Sequence, residues 1–395
     1  MRILFHHRIR SKDGQFVHLE ELTRALARQG HEVLIVGPQA VTEGEFGDNA
    51  GIVDVLKRAL PAALYELLEF AYAVPAYFRL AAAIRRFRPE VIYERYQLFF
   101  PTGIWAQRRH RVPLILEVNA PLFAERAKYS KIALRRLAAW SERFVWNAAD
   151  HVLPVTEVLA DTVRAEGVPD HRISVIPNGI DFERFRDLPT PAEAKATAGL
   201  AGRTVLGFIG FIRDWHGLDR VVRYIAERAD PALHLLMIGD GPEREPLLAL
   251  ARQLGVESQV TATGIVPRDE VGRWLRSFDV ALQPDVTEYA SPLKLFEYLY
   301  VGLAVVAPDT RNIREVLHDG ENAVLFDPAT QGGFQAALDR LVRDPQLRAR
   351  LAVAGHRTIV DRDMTWDGNA RRVVALAAAC RGGRADAAAG AAERA

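Results

Sequence analysis

Short apolar runs alternate with helix-length amphipathic segments along almost the whole chain, and this alternation restricts the fold more than any other feature. The runs lack a polar residue at every second position, which is typical of strands buried on both faces of a parallel sheet. Strands and helices in regular succession predict doubly wound α/β domains. We predict strands at 2–6, 32–36, 91–93, 114–118, 151–153 and 173–176 in the first half, and at 204–209, 233–238, 260–262, 280–283, 303–307 and 323–326 in the second.

The length of the chain favours two domains. At 395 residues it exceeds what one ordinary hydrophobic core accommodates. A turn cluster at 176–181, followed by a polar stretch rich in proline and alanine, indicates the boundary between them. We therefore predict domains at 1–190 and 191–364, a final helix at 365–380 and a disordered tail at 381–395.

Charge and cysteine content exclude several classes of protein. A formal net charge of +1 gives no support for a nucleic-acid partner. The single cysteine, Cys380, cannot form an intrachain disulfide and favours a reducing, cytoplasmic location. The N-terminus runs directly into a strand-like segment, so we expect no targeting peptide. No histidine or aspartate cluster has metal-ligand spacing, and 361–363 is interpreted as a turn at a helix start.

One segment departs from the near-zero net charge of the chain. Residues 79–143 hold 14 lysines and arginines against 5 acidic residues, and the aromatic-rich segment 65–78 precedes them. The longest apolar stretch, 60–83, is interrupted by glutamates and prolines and favours a surface helix over a membrane-spanning one. One hypothesis is that this region contacts an anionic membrane or a lipid-linked acceptor. The alternative is that these are the solvated faces of ordinary helices.

The stretch 289–308 predicts a loop, a short helix and a buried strand. Ser291 is a good N-cap, Pro292 suits the first helical position, and Gly302 supplies the stop. The free N–H groups of Leu293 and Lys294, the positive end of the helix dipole and the Lys294 ammonium together favour a phosphate or diphosphate.

Glu297 lies one turn further along this helix. As an ionised acceptor with two oxygens, it matches the two vicinal hydroxyls of a ribose. The helix would therefore bind a nucleoside diphosphate. The alternative is that Lys294 and Glu297 form an ordinary surface ion pair.

Other candidate residues follow strands at the edge where doubly wound sheets bind ligands. Gly14 lies in the loop 8–16, and its alternative role is a simple turn. Glu117 and Asn119 end the strand 114–118 and are candidates to contact a reacting sugar, although an asparagine at a strand end often only forms a turn. Gly210 and Arg213 follow the strand 204–209 and could close over a phosphate.

The loop 8–16 lacks the G-x-G-x-x-G pattern, which argues against a nicotinamide or flavin cofactor.

Three segments together, SPLKLFEYLYVG at 291–302, GFIRDWHG at 210–217 and PNGID at 177–181, resemble the family 4 retaining glycosyltransferases of the GT-B type. The resemblance implies two facing Rossmann-like domains with parallel sheets and a C-terminal helix that crosses back to the N-terminal domain. It further implies a nucleotide-sugar donor held mainly by the second domain, a saccharide or lipid-linked acceptor on the first, and no metal or other cofactor. The expected activity is retaining transfer of a hexose in cell-surface polysaccharide or glycoconjugate synthesis.

Carried over residue by residue, the resemblance assigns roles to several positions. Glu297 would bind the ribose, Lys294 and Arg213 the diphosphate, Gly14 the distal phosphate, and the backbone around Ile265 the base. Three positions depart from the family pattern: Tyr289 replaces a glutamate, His216 a lysine and Asn119 a histidine.

Two alternatives stay open. A GT-B nucleotide-sugar epimerase would need an acid/base pair, for which Glu117 with His6 or His7 are the candidates. Because Tyr289, His216 and Asn119 depart from the family pattern, a second alternative is that the chain is a non-catalytic relative that binds a sugar or a partner.

Overall fold

The computed structural model describes residues 1–9, 14–38, 60–129 and 132–392, with side chains up to 382 except that of residue 129. The chain divides into two compact units. Unit 1 comprises Met1–Pro177 with Trp366–Ala395, and unit 2 comprises Asn178–Thr365. The first division falls inside the predicted turn cluster 176–181.

Unit 1 is built on a five-stranded sheet in which every described pairing is parallel. The strand order is β2-β1-β3-β4-β5, so the order reverses at β1 and the carboxyl ends of β1 and β3 flank a crevice. The strands are β1 (Arg2–His6), β2 (Glu32–Val36), β3 (Val91–Arg95), β4 (Leu114–Val118) and β5 (His151–Pro154). The helices are α1 (Gly14–Arg28), α2 (Ala62–Ala71), α3 (Ala73–Phe87), α4 (Thr102–His110), α5 (Leu122–Tyr129), α6 (Arg135–Ala148) and α7 (Glu157–Ala165).

Unit 2 contains a six-stranded sheet of order β11-β10-β9-β6-β7-β8, also parallel throughout its described pairings. The order reverses at β6, so its ligand crevice is expected beyond the carboxyl ends of β6 and β9. The strands are β6 (Thr204–Ile209), β7 (Leu233–Ile238), β8 (Val260–Ala262), β9 (Val280–Leu282), β10 (Ala304–Pro308) and β11 (Val324–Phe326). The helices are α8 (Pro191–Thr197), α9 (Asp219–Arg228), α10 (Arg244–Gln253), α11 (Val271–Leu275), α12 (Leu293–Val301), α13 (Arg311–Arg314), α14 (Gly333–Arg343) and α15 (Pro345–Asp361).

The last helix, α16 (Trp366–Ala392), returns to unit 1. Asp367 pairs with Arg28 of α1 at 3.0 Å, and its carbonyl accepts a hydrogen bond from the Gln29 side chain at 2.8 Å. Trp366 packs edge-on against His18, with ring centroids 4.7 Å apart. Residues 381–392, predicted to be disordered, are helical, and 393–395 lie outside the described residues.

The predicted parallel α/β architecture is confirmed, with one strand wrong. The segment 173–176 is not a strand, because Ile173 makes only an isolated bridge to Val152. Ser174 and Ile176 still donate their N–H groups to β5 carbonyls at 3.1 Å each. Pro177 follows with no N–H to continue the ladder.

Candidate functional site

The crevice of unit 2 is bounded by the start of α12, which begins one residue later than predicted. Pro292 occupies the N-cap position and Leu293 is the first helical residue. Ser291 is not the N-cap, since its hydroxyl accepts from the Asn178 N–H at 3.2 Å and its carbonyl accepts from the Asn178 side-chain amide at 2.6 Å. The first N–H bonded within the helix is that of Leu295, to the Pro292 carbonyl at 3.1 Å, so the N–H groups of Leu293 and Lys294 precede it.

The Lys294 side chain points from this helix start toward the end of β6. Its Nζ atom is buried and has no hydrogen-bond partner within the described part of the chain. It lies 3.7 Å from the centroid of the Phe208 ring, with which it makes a cation–π contact. A Cβ added to Gly210 would stand 3.3 Å from the same Nζ. The ammonium therefore lies against the backbone at the carboxyl end of β6.

Burial changes the protonation of this lysine. It lowers the pKa of the Lys294 ammonium from 10.5 to about 7, although the nearby Glu297 carboxylate acts in the opposite direction. Glu297 itself is half-buried on the next turn of α12. An anion at this position would restore the full charge on Lys294, because a further negative charge beside the ammonium favours its charged form.

The loop after β6 lies tightly against the loop after β7. Gly210 has a φ of 136° and Gly239 a φ of 123°, which side chains rarely adopt. A Cβ on Gly239 would come within 2.2 Å of the Gly210 carbonyl oxygen. The two glycines allow a close backbone approach that leaves the Lys294 ammonium beside bare main chain.

The same loop presents a second cation, Arg213. This exposed guanidinium contacts two exposed aromatic rings, 4.7 Å from the centroid of Phe211 and 4.8 Å from that of Trp215. His216 accepts a hydrogen bond from the Arg213 N–H at its Nδ1, at 3.1 Å. Burial, followed by the charges of Lys294 and Arg213, lowers the pKa of His216 to about 3. His216 is therefore neutral near pH 7, and the positive charge of this crevice comes from Lys294 and Arg213.

Two residues that the sequence did not single out hold this crevice together. The buried Tyr298 accepts the Ile209 N–H at its hydroxyl oxygen at 3.0 Å, which ties α12 to the end of β6. The buried Asn312 donates its side-chain amide to the carbonyls of Thr287 and Ala290, at 3.0 and 2.8 Å. Tyr298 belongs to an apolar helix face and Asn312 to the short helix α13, so neither carries a signal in the sequence alone.

The remaining predicted residues of unit 2 lie on neighbouring loops. Tyr289 is half-buried in the loop that Asn312 holds. Ile265 is 54% exposed after β8, and the preceding Gly264 carbonyl accepts the Gly239 N–H at 2.9 Å. The structure thus places Ile265 beside the loops after β6 and β7.

Comparison with known proteins identifies the family of this chain. Residues 12–184 match Glycosyltransferase Family 4 and residues 192–358 match Glycosyl transferases group 1. The chain belongs to the family 4 glycosyltransferases. It is a transferase enzyme with the GT-B fold.

Individual relatives extend over most of the chain. The D-inositol 3-phosphate glycosyltransferase of Xylanimonas cellulosilytica is 29% identical over 90% of this chain and 88% of its own length. The 2-deoxystreptamine glucosyltransferase of Streptomyces kanamyceticus is 25% identical over 83% of this chain and 89% of its own. Anabaena Alr3699/HepE, solved in complex with UDP, superposes with a TM-score of 0.75 at 17% identity, over 96% of this chain and 100% of its own.

In unit 1 of this glycosyltransferase, Glu117 and Asn119 are in contact at the end of β4. Glu117 is 2% exposed and accepts the Tyr93 hydroxyl at 2.6 Å, His18 Nε2 at 2.8 Å, and the side chains of Arg95 and Asn119. Burial alone would raise the pKa of Glu117, but the charges of His18 and Arg95 and the hydrogen bonds from His18 and Tyr93 hold it well below its usual range. Glu117 therefore acts as an ionised anchor that orients its four donors, and its position does not favour proton transfer.

The histidines at the end of β1 are equally enclosed. His6 pairs with Glu94 of β3 across the crevice of unit 1. His7 is 5% exposed and its Nδ1 accepts the Ile9 N–H at 3.0 Å. Burial, with smaller contributions from His6 and Arg95, lowers the pKa of His7 to about 3, which makes it a weak base. The acid/base pair that an epimerase would need thus finds no support at Glu117 and His7.

Gly14 is exposed and is the first residue of α1. Of the predicted loop 8–16 around it, residues 10–13 lie outside the described residues. Its assignment to a distal phosphate stays a prediction.

Proposed function

We propose that this enzyme transfers a hexose, with retention of configuration, from a nucleoside-diphosphate donor to a saccharide or lipid-linked acceptor in cell-surface polysaccharide or glycoconjugate synthesis. One observation carries the proposal. The Lys294 ammonium is buried at a helix N-terminus without a hydrogen-bond partner in the described chain. A buried cation of this kind favours an anionic ligand.

In this proposal the donor diphosphate lies on the N–H groups of Leu293 and Lys294 and on the Lys294 ammonium. Arg213, in contact with Phe211 and Trp215, approaches the same phosphates from the loop after β6. Glu297 accepts hydrogen bonds from the ribose hydroxyls. UDP is the first nucleotide to test, because Anabaena Alr3699/HepE has been solved with UDP-glucose.

The chemistry then depends on charge stabilisation. The bond between the anomeric carbon and the diphosphate oxygen breaks, and its electron pair stays on the diphosphate. The acceptor oxygen bonds to the same face of the sugar, and its proton passes to the departing phosphate oxygen. The low pKa values of Glu117 and His7 agree with a reaction that uses no protein base. Lys294 and Arg213 would supply the positive charge, so we propose that no metal is required.

We place this reaction in the cytoplasm, at the inner face of the membrane when the acceptor is lipid-linked. The single cysteine of the chain fits a reducing compartment.

The test is a donor screen followed by transfer assays. Thermal shift with UDP, GDP, ADP and their sugars should single out one nucleotide, since a ligand at 100 times its Kd stabilises by about 2.7 kcal/mol. With that donor, Lys294→Ala and Glu297→Gln should each lower kcat/KM by about 10–100-fold, the worth of a charge-assisted hydrogen bond. Arg357→Ala, an exposed residue of α15, is the control. Unchanged rates in both site variants would refute the assignment.

The same assays separate the alternatives. The acceptor panel should include oligosaccharides, lipid-linked sugars, inositol phosphate and an aminocyclitol, the last two suggested by the names of the relatives. Interconversion of the donor sugar without transfer would favour an epimerase. Donor binding without any turnover would favour a non-catalytic relative.

A further inference from the structure

Helix α2 has its charged residues inside and its leucines outside. Glu66 and Glu69 are 5% and 9% exposed, whereas Leu64, Leu67 and Leu68 are 44%, 49% and 49% exposed. A surface helix ordinarily has the opposite arrangement, with apolar side chains against the core. Exposed leucines in this arrangement indicate that the outer face of the helix binds another apolar surface.

The inward carboxylates fix the helix in this orientation. Glu66 accepts the N–H groups of Ala133 and Leu134 at 2.8 and 2.7 Å, at the start of α6. Glu69 receives two hydrogen bonds from Arg126, each of 2.8 Å, and lies 3.4 Å from Arg8. Turning the leucines inward would break all of these contacts and leave Arg126 and the N–H groups of Ala133 and Leu134 without their carboxylate acceptors.

The apolar face continues into α3. Val74 and Phe78 are 50% and 64% exposed and extend the helical spacing of Leu64, Leu67 and Leu68 along one side. Between 61 and 78 the only charged residues are Glu66 and Glu69, which face inward. We call the exposed side chains of Leu64, Leu67, Leu68, Val74 and Phe78 the apolar stripe.

Aromatic and basic side chains adjoin this stripe. Phe70 of α2 packs against Trp140 of α6, with ring centroids 6.4 Å apart, and Trp140 is 50% exposed. Trp140 stacks on Phe144 at 5.2 Å, and the Arg108 guanidinium lies 5.1 Å from the Phe144 centroid. A shallow depression of about 570 Å³ beside them is lined by Arg108, Arg143 and Glu166, and Glu166 pairs with Arg143 at 2.8 Å.

The exposed charge of the segment 79–143 is of one sign. None of the five carboxylates between 79 and 143 is exposed. The exposed basic residues of the same segment include Arg79, Arg85, Arg86, Arg108, Arg109 and Arg143. Leucine and phenylalanine beside tryptophan and arginine are the composition that binds the boundary between headgroups and acyl chains of an anionic bilayer.

We propose that the apolar stripe, with Trp140 and the adjoining arginines, docks unit 1 flat on an anionic lipid bilayer. The segment Ala62–Phe87 is long and apolar enough to cross a membrane, and 28% of its most apolar window is buried. Two arrangements in a bilayer are therefore to be compared, crossing and flat docking. Crossing would expose Glu66 and Glu69 to hydrocarbon, whereas flat docking keeps them on Arg126 and the α6 amides. A second copy is a poorer occupant, because its own arginines would face these arginines.

Vesicle flotation tests the proposal with the full chain. Vesicles of phosphatidylcholine with phosphatidylglycerol should float the wild type at low salt, and pure phosphatidylcholine should float much less. Leu64→Gln with Leu67→Gln and Phe78→Gln should lower the partition coefficient by about tenfold or more. Val353→Gln with Val360→Gln, which removes two exposed apolar side chains of α15, is the matched control and should bind as the wild type does.

The charge contribution is tested separately. Arg108→Gln with Arg143→Gln should weaken binding to the anionic vesicles, while Arg350→Gln with Arg357→Gln on α15 should not. Failure of the wild type to float on anionic vesicles, or equal loss in the control variants, would overturn the proposal. So would a wild-type dimer in light scattering that the stripe variant abolishes, because the stripe would then bind a second copy.

Donor hydrolysis and circular dichroism complete the test. The stripe variant should keep the folded spectrum and the wild-type rate of nucleotide-sugar hydrolysis, since it changes no residue of the donor crevice. This readout distinguishes failure of membrane docking from failure of the proposed transferase function. A stripe variant that is unfolded is replaced by Phe78→Gln alone, at the most exposed position of the stripe.

Discussion

Lys294 shows how one residue can be destabilising and useful at once. Burial of its ammonium against Phe208 lowers its pKa to about 7, so in the free enzyme the charged and neutral forms are similarly populated near neutral pH. A bound diphosphate would raise that pKa again, because it favours the charged form. Donor binding should therefore be coupled to proton uptake by this side chain.

This coupling predicts a pH dependence with a definite sign. Donor affinity should be highest below pH 7, where Lys294 is already protonated. It should fall above pH 7, by up to about tenfold per pH unit, until the pKa of the complex is reached. A nucleotide sugar is the suitable ligand, because its diphosphate carries no proton that titrates near neutrality. His216, with a pKa of about 3, stays neutral throughout and does not contribute.

Calorimetric titration in buffers of different ionisation enthalpy measures the protons taken up. Lys294→Arg is the matched control, since arginine stays charged and should remove the pH dependence while retaining binding. A wild-type Kd that does not change between about pH 6.5 and 8.5 would contradict the coupling.

Arg213 provides a second prediction at this scale. Phe211 and Trp215 both contact its guanidinium, and each exposed cation–π contact contributes about 0.5–1 kcal/mol. Trp215→Ala should free the guanidinium and raise the donor KM by about 2–5-fold. Trp215→Phe should restore most of the loss because it retains an aromatic face. Equal kinetics for Trp215→Ala and the wild type in a donor titration would remove the positioning role.

At the scale of elements, α12 joins ligand binding to the sheet. Its first turn presents N–H groups and Lys294, its second carries Glu297, and Tyr298 attaches it to the end of β6. The helix that we propose binds the donor also packs in the core, where Leu295, Phe296 and Leu299 are buried, and this packing fixes its position.

Tyr298→Phe tests this attachment. The change removes the acceptor of the buried Ile209 N–H, and an unsatisfied buried donor costs about 1–3 kcal/mol. Urea denaturation should report that loss, with a lower kcat/KM because the crevice is less well fixed. Tyr300→Phe is the control, since the Tyr300 ring stacks on Phe182 at 4.3 Å and its hydroxyl has no hydrogen bond in the described chain. Equal stability of the two variants would argue against a stabilising role for the hydrogen bond between the Ile209 N–H and the Tyr298 hydroxyl.

The limits of sequence reasoning follow from the same elements. Strands β1, β2, β4, β6, β7 and β8 have the predicted bounds, because periodicity and flanking turns are local signals. The start of α12 was predicted one residue early, because Ser291 bonds to Asn178, 113 positions away. Lys294 and Gly210 were recognisable as candidates, whereas the roles of Tyr298, Asn312 and Phe208 depend on contacts between distant segments that spacing does not encode.

At the scale of the whole molecule, the chain completes unit 1 only after it has built unit 2. Helix α16 buries Trp366, Asn369, Val373 and Ala377 in unit 1, more than 180 residues after the chain leaves it. Unit 1 therefore depends on a late segment, while unit 2 is a continuous segment with its own sheet and core.

This division predicts that a substitution in unit 1 and a ligand of unit 2 each shift the thermal transition of one unit only. Val373→Asp places a carboxylate at a position that is 1% exposed, and an unpaired buried charge should cost about 3 kcal/mol or more. Calorimetry should show the transition of unit 1 lowered by roughly 6–12 °C. The nucleotide that we propose binds at Lys294 should still raise the transition temperature of unit 2. Ala375→Asp, on the exposed side of the same helix, should leave both transitions in place. A single transition that both the substitution and the ligand shift would mean that the two units unfold as one.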